Sequence, residues 1–336
     1  MAAIVAHAPR STIGGMARLG SVLLAGPDFQ ASLKHVQLAD ELGYDSVWVT
    51  NNVTREAFVV LTAYACATKR IGVGTDIVQI QTRHPAVMAQ QALSLNDVSG
   101  GRFRLGLGVS HAPNIEGAFG LQMGKPLELM REYVQIMRQA FAGVVNHEGQ
   151  HYRVKWEYTL PRKPPPLYIA ALNPRMLELA GEIADGVLLW LPTPEYVRDT
   201  VVPRVRAGRE RAGKSLDGFE VICPVPAAIA DDVAAGWQSF RTELVRYSSL
   251  PFYQQEFRNA GYGEEVDAFL RDRSRGDPAE AVRPRLAEAL GMVGSAAEVR
   301  GMVQRFVDAG VTLPLLRPVH GPSIEATLQS AISSQR

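Results

Sequence analysis

The sequence predicts a single (β/α)8 barrel, an α/β fold in which eight parallel strands alternate with helices around a closed core. Three observations point there. The chain has 336 residues, the size of one barrel of about 250 residues plus insertions. Eight short β-branched apolar runs occur in order with stretches of helical period between them, a pattern that favours a closed parallel barrel over an open doubly wound sheet. Finally, the junctions Glu41-Leu42-Gly43-Tyr44-Asp45 and Asp308-Ala309-Gly310-Val311-Thr312 share one logic, with glycine in the left-handed position after a helix and a β-run behind it.

Element by element, Leu19–Leu24 reads as the first strand and Phe29–Leu42 as its helix, closed by Gly43. Ser46–Thr50 is the second strand, followed by a helix over Phe58–Thr68. Ile71–Asp76 and Pro85–Val98 form the third pair. Phe103–Leu107 leads to a long helix over Leu127–Phe141, with Pro126 suited to its start. An excursion at Val144–Lys155 precedes strand five, Leu167–Ala171, and helix Pro174–Ile183. Gly186–Leu191, helix Glu195–Ala212 and strand Phe219–Ile229 come next. Residues 234–290 carry Trp237, Phe240, Tyr247, Phe252, Tyr253 and Phe257 before a charged section, and read as a mostly helical insertion after strand seven, packed over the barrel mouth or forming an outer helical layer or dimer face. Helix Ala296–Ala309 and strand Leu313–Pro318 complete the set. Residues 1–17 are expected to form an N-terminal arm, and residues 18–336 one domain.

Composition removes several function classes. Hydrophobic residues make up 46% and charged residues 21% of the chain, and the formal net charge is +1. That is ordinary globular chemistry with no global field to draw in nucleic acid or an anionic membrane, so neither is an expected partner. Two cysteines, Cys66 and Cys223, allow no disulfide framework, and both sit in apolar runs that suggest buried thiols in a reducing compartment. Met1–Arg18 has no leader-like apolar core, and no run of 18 apolar residues occurs, so the cytoplasm is the expected location.

Barrel chemistry sits in the loops that follow the strands. After strand two come Asn51 and Asn52, and after strand three Asp76, whose carboxylate would point to the barrel mouth or simply cap a loop. Gly106-Leu107-Gly108-Val109-Ser110-His111 after strand four lets backbone approach a ligand and offers N–H groups to an anion. It lacks the third glycine and acidic residue of a dinucleotide fingerprint. Asn173-Pro174-Arg175 after strand five starts a helix, exposing free N–H groups beside a guanidinium. That is an anion site, or an ordinary capped helix with a solvated arginine. His111 and His84 are the acid–base candidates on strand-end loops, although a His-Pro pair also starts helices. His147-Glu148-Gly149-Gln150-His151 spells a zinc spacing, but Asn146 and Gly149 interrupt a helix there, so a hairpin is expected and no metal. No nucleophile elbow is present.

Several segments in order resemble the luciferase-like family, and especially its coenzyme F420-dependent branch, which includes methylenetetrahydromethanopterin reductase. They are Glu41–Val49, Ala67–Thr75, Thr82–Ala86, Ser99–Phe103 with Leu105–Gly108, Pro166–Ala171 and Leu179–Leu188. The resemblance implies a barrel with an isoalloxazine-like ring across its mouth, and a bulge with a non-prolyl cis peptide near Asp76–Ile77 beneath that ring. It places the phosphate between Gly108, Val109 and Ser110 on one side and Leu172, Asn173, Arg175 and Met176 on the other. Dimerisation is common in the family, so a homodimer is expected.

The chain departs from many F420-using relatives in having Asn51-Asn52 where they have Asp-His after strand two. It also has His111 where the F420-linked sugar-phosphate dehydrogenases have glutamate. Asparagine cannot shuttle a proton at pH 7, which argues against a sugar-phosphate substrate and shifts proton transfer toward His111. The expected activity is hydride transfer between reduced coenzyme F420 and the C=C, C=N or C=O bond of a partly hydrophobic organic molecule, with Asn51, Asp76 and His111 at the reacting centre. The alternatives are an FMN-dependent monooxygenase using molecular oxygen, and a barrel that binds a ligand without turnover.

Overall fold

The computed structural model describes residues 18–52, 54–157, 163–321 and 323–332. The expected N-terminal arm lies outside the described residues. The strands are β1 (Gly20–Val22), β2 (Ser46–Val49), β3 (Gly72–Thr75), β4 (Val78–Gln79), β5 (Phe103–Gly108), β6 (Val144–Glu148), β7 (Arg153–Glu157), β8 (Leu167–Ala170), β9 (Gly186–Leu188), β10 (Glu220–Ile229), β11 (Met292–Gly294) and β12 (Leu313–Pro318). Eight of them close into a parallel barrel in the order β1-β2-β3-β5-β8-β9-β10-β12, with β12 returning to β1. The register runs around the ring through Ser21 opposite Val47, Val47 opposite Val73, Val73 opposite Phe103, Leu105 opposite Leu167, Val187 opposite Val221, Ile222 opposite Leu313 and Gly20 opposite Leu315.

Period-two alternation divides the apolar residues between two cores. Val22, Trp48, Tyr168, Leu188, Ile222, Leu313 and Leu315 fill the barrel, with Ile77 and Ala170 packed against them. Trp48 meets Tyr168 edge-on at 5.8 Å between ring centroids. Gly74 makes room for the indole, since a Cβ there would lie 2.5 Å from it. The second core lies between barrel and helices, and includes Val47, Val73, Leu61, Met137, Leu177, Val225 and Phe306.

The helices are α1 (Phe29–Leu42), α2 (Ala57–Ala67), α3 (Pro85–Val98), α4 (Pro126–Ala142), α5 (Pro174–Ile183), α6 (Pro194–Tyr196), α7 (Val202–Arg211), α8 (Val233–Ser248), α9 (Pro251–Asn259), α10 (Gly263–Asp272), α11 (Pro278–Ala281), α12 (Pro284–Leu290), α13 (Ala296–Asp308) and α14 (Ile324–Ile332). Asp28 caps α1, Asn173 caps α5, and Ser295 with Glu298 forms a reciprocal capping box on α13. α6 and α7 join through a π turn at Val197–Val201, next to Pro203, which has no N–H to give the preceding turn. Five helices, α8 to α12, separate β10 from β11, a short strand added to the outside of β10.

Two features differ from the expectations. Cys66 is exposed rather than buried, because α2 is apolar on every side and its pattern cannot show which side faces water. The helix after strand eight, α14, has no expectation to match it. Among the described residues, no helix is long and apolar enough to cross a membrane.

The His147–His151 segment is the tip of the antiparallel hairpin β6–β7. Its histidines surround Glu132 of α4, with His147 Nε2 3.1 Å from Glu132 Oε1 and the Tyr152 N–H donating to the same oxygen. Burial would raise the Glu132 carboxyl, but the backbone N–H groups of Tyr152 and His151 and the His147 ring hold it below its usual range. The spacing clamps a hairpin to a helix.

Candidate active site

The floor of the barrel mouth is built where β3 ends. The Asp76–Ile77 peptide is cis, and the chain resumes as β4, which pairs with β5. Asn51 at the end of β2 holds this corner in place. Its backbone N–H donates to Ile77 O, its Nδ2 donates to Gln79 Oε1 at 2.7 Å, and its Oδ1 accepts from the Ala57 N–H. Gln79 Nε2 closes the ring by donating to Asn51 O. The structure thus uses the Asn51 amide as a brace.

Gly106 and Gly108 serve close packing. A Cβ on Gly106 would lie 2.1 Å from Thr75 O, and one on Gly108 would lie 2.7 Å from the Ile77 side chain. Gly108 therefore supports the corner from below, by letting Ile77 seat against it. Asp76 is buried at 7% exposure. Its Oδ2 has no hydrogen-bond partner, and burial pushes its carboxyl up to about 7.

Two loops flank this floor. After β5, Val109 and Ser110 are half-buried, and Ser110 adopts φ +58°, a left-handed turn that few non-glycine residues take. His111 follows, its ring 5.6 Å from that of Tyr253. Burial, and then the charge of Arg246, lower the His111 pKa, so the ring is neutral near pH 7. After β8, Leu172 and Met176 are buried, and Asn173 Oδ1 accepts from the Met176 N–H at 2.9 Å. Arg175 is exposed at the N-terminus of α5 and makes no ion pair among the described residues. His84 caps α3, its Nδ1 accepting from the Ala86 N–H, and stands apart as a helix start.

The ceiling comes from the insertion. Tyr253 of α9 is only 2% exposed and stacks tilted or edge-on with His111, Tyr247, Phe252 and Phe257. Trp190, just beyond β9, meets Tyr247 at 5.7 Å and carries the Arg317 guanidinium over its face. Arg317 pairs with Glu243 of α8 at 2.5 Å, and Ser239 Oγ donates to His320 O. These contacts fasten α8 and α9 to the ends of β9 and β12.

Glu256 was missed as a site residue in the sequence. The available signal was the i, i+3, i+4 spacing of Tyr253, Glu256 and Phe257, which puts a carboxyl on the apolar face of a helix.

A model of the luciferase-like monooxygenase family matches residues 10–313. The chain belongs to the luciferase-like family. It is 30% identical over 313 residues to a Mycobacterium tuberculosis protein with the provisional name coenzyme F420-dependent oxidoreductase, covering 83% of this chain and 88% of that one. The coenzyme F420-dependent tetrahydromethanopterin reductase of Methanopyrus kandleri superposes with a TM-score of 0.84 at 23% identity, over 94% of this chain and 97% of that one. A type II Baeyer–Villiger monooxygenase from Pseudomonas putida, determined with FMN, superposes at 0.70 and 17% identity, over 95% and 98% of the two chains. Luciferase-like proteins with both cofactors share this barrel.

The residues present fit a group with a planar ring and an anionic tail. Ile77 and Ala170 offer an apolar floor above the interior core, and Asp76 Oδ2 is a buried polar atom without a partner. A free guanidinium stands at the N-terminus of the ten-residue helix α5, where backbone dipoles favour an anion.

Proposed function

We propose that this luciferase-like protein is an oxidoreductase that passes hydride between reduced coenzyme F420 and a polarised double bond in a partly hydrophobic organic substrate. The observation that carries this reading is Asp76, a buried carboxyl at the end of β3 with its Oδ2 unpartnered, poised to exchange a proton near neutrality. Coenzyme F420, when bound, supplies the hydride from a ring that has carbon in place of flavin N5 and so reacts poorly with oxygen.

The chain's own residues bind, orient and shield. Ile77 and Ala170 support the ring plane from below. The Val109–Ser110 turn and the α5 N-terminus with Arg175 hold the phosphate, with Leu172 and Met176 packed behind. Tyr253, Tyr247 and Trp190 exclude water from above, which strengthens each electrostatic interaction inside. Asp76 gives or takes a proton as charge develops beside it. His111, neutral at pH 7, acts as hydrogen-bond partner or base in this scheme and not as the acid. Asn51 acts through the corner it braces and does not touch the substrate. A cytoplasmic homodimer is the assembly we propose.

The test is anaerobic mixing of the protein with reduced F420 and a panel of ketones, enones and imines, read by the return of deazaflavin absorbance. Acceptor-dependent oxidation of F420 supports the reading. Oxygen uptake with reduced FMN, and none of that oxidation, replaces it with the monooxygenase reading, which the FMN-bound structural neighbour favours. Binding of either cofactor without electron transfer to any acceptor or to oxygen leaves a ligand-binding barrel.

A further inference from the structure

Glu256 is a buried titratable group that has no part in the scheme so far. Glu256 projects from α9 at 5% exposure, between Tyr253 and Phe257 of the same helix. Both of its carboxyl oxygens are enclosed and neither has a hydrogen-bond partner. Its electrostatic neighbours come from several elements: Tyr253 on α9, Cys223 on β10 and Tyr196 on α6. Tyr196 donates to Leu172 O in the loop proposed to flank the phosphate. Asp76 acts on two of those same groups, Cys223 and Tyr253. The cations around this cluster are Arg246 of α8, which is exposed and acts on Tyr253, Tyr247 and His111, and Arg204 of α7, which acts on Tyr196.

A buried carboxyl that only filled space would be hydrogen-bonded, or replaced by an apolar side chain of the same volume. An unpaired carboxylate cannot be kept charged in such surroundings, so burial pushes Glu256 well above the usual carboxyl range and the group holds its proton.

We propose that Glu256 is the substrate-side acid of this site, delivering a proton from the ceiling to the oxygen or nitrogen of a C=O or C=N bond as hydride arrives on the carbon. The proposal rests on the oxidoreductase reading and narrows it to carbonyl and imine substrates, since an isolated alkene has no heteroatom to receive that proton. In the reduction the π bond breaks, its carbon takes the hydride pair from the reduced cofactor, and its heteroatom takes the proton from Glu256. The resulting carboxylate regains a proton from water before the next turnover.

The first readout needs no cofactor. Infrared difference spectra of the full-length protein, wild type minus Glu256→Gln at pH 7, are expected to contain a protonated-carboxyl band. Its absence, with a carboxylate band in its place, overturns the proposal. The second is the pH profile of F420-linked reduction. Glu256→Gln is expected to lower kcat about 100-fold or more with little change in KM and to lose the high-pH limb, whereas Asp76→Asn keeps that limb. Unchanged turnover and pH profile in Glu256→Gln overturn the proposal even if the band is present. Glu256→Leu guards against misfolding: it should melt no lower than wild type and be as inactive as Glu256→Gln, and a clear fall in Tm marks the residue as structural. If the wild type oxidises reduced F420 with none of the carbonyl or imine acceptors, the oxidoreductase reading and the proposal that rests on it both fail, whatever the infrared band shows.

Discussion

At the scale of single residues, the chemistry divides between Asp76 and His111 by burial and charge. Asp76 holds its proton to about pH 7 in the folded protein, whereas an unfolded aspartate releases it near pH 3.9. The folded state therefore binds more protons across that interval, and stability falls as pH rises from about 4 to 7, by at most about 4 kcal/mol. Asp76→Asn should remove this slope, so that the variant melts above wild type at pH 8 and with it at pH 4. Its turnover should fall about 10²–10⁴-fold. His111→Ala, which removes an already neutral ring, should cost less than about tenfold and leave the high-pH limb in place. A 100-fold loss in that variant would return the acid to His111. Asp76 was legible in the sequence because it stands at the end of a strand. Glu256 was not: set among Gln254, Gln255 and Arg258, it reads as a solvated helix face until α9 is seen lying on the barrel.

At the scale of elements, the corner after β3 depends on what β5 leaves out. Gly106→Ala would drive a methyl group against Thr75 O, and neither backbone can yield without parting β3 from β5. A stability loss of about 1–3 kcal/mol is expected, measurable as a lower denaturant midpoint, together with weaker cofactor binding. The Gly-Leu-Gly run was visible in the sequence as a place where backbone comes close to something. Only the packing of Ile77 identifies that something as the neighbouring corner. The α5 N-terminus presents the opposite case, because Arg175 has no structural partner among the described residues. Arg175→Ala should leave Tm unchanged and weaken cofactor binding about 5–30-fold; a fall in Tm with unaltered affinity would remove it from the phosphate site. The short strands β4 and β11 escaped the sequence pattern because two or three residues carry no periodicity.

At the scale of the whole molecule, the two ends of the barrel carry different electrostatics. The lower end is an ion network in which Arg18 and Arg104 meet Asp45, Arg18 also reaches Glu220, and Tyr168 donates to Glu220. Burial would raise Asp45, but Arg104 and Arg18 hold it below the usual range. Its stabilising contribution is thus complete above about pH 4 and is lost as pH falls toward the lower folded value. Arg104→Met should flatten that acid limb in thermal melts. The upper end instead leaves Asp76 Oδ2 and both carboxyl oxygens of Glu256 without a hydrogen-bond partner. The barrel was legible from alternating periodicity because eight strand–helix units repeat one physical solution. The ceiling was legible as a helical insertion over the mouth but not in its contacts, because an insertion has no repeat to be measured against.

The central claim is that this mouth binds a deazaflavin for hydride transfer, and separate fluorescence titrations of the purified protein with coenzyme F420 and with FMN test it most directly. Tight F420 binding with negligible FMN affinity is the expected result. Preference for FMN would contradict the claim while leaving the barrel and its floor intact.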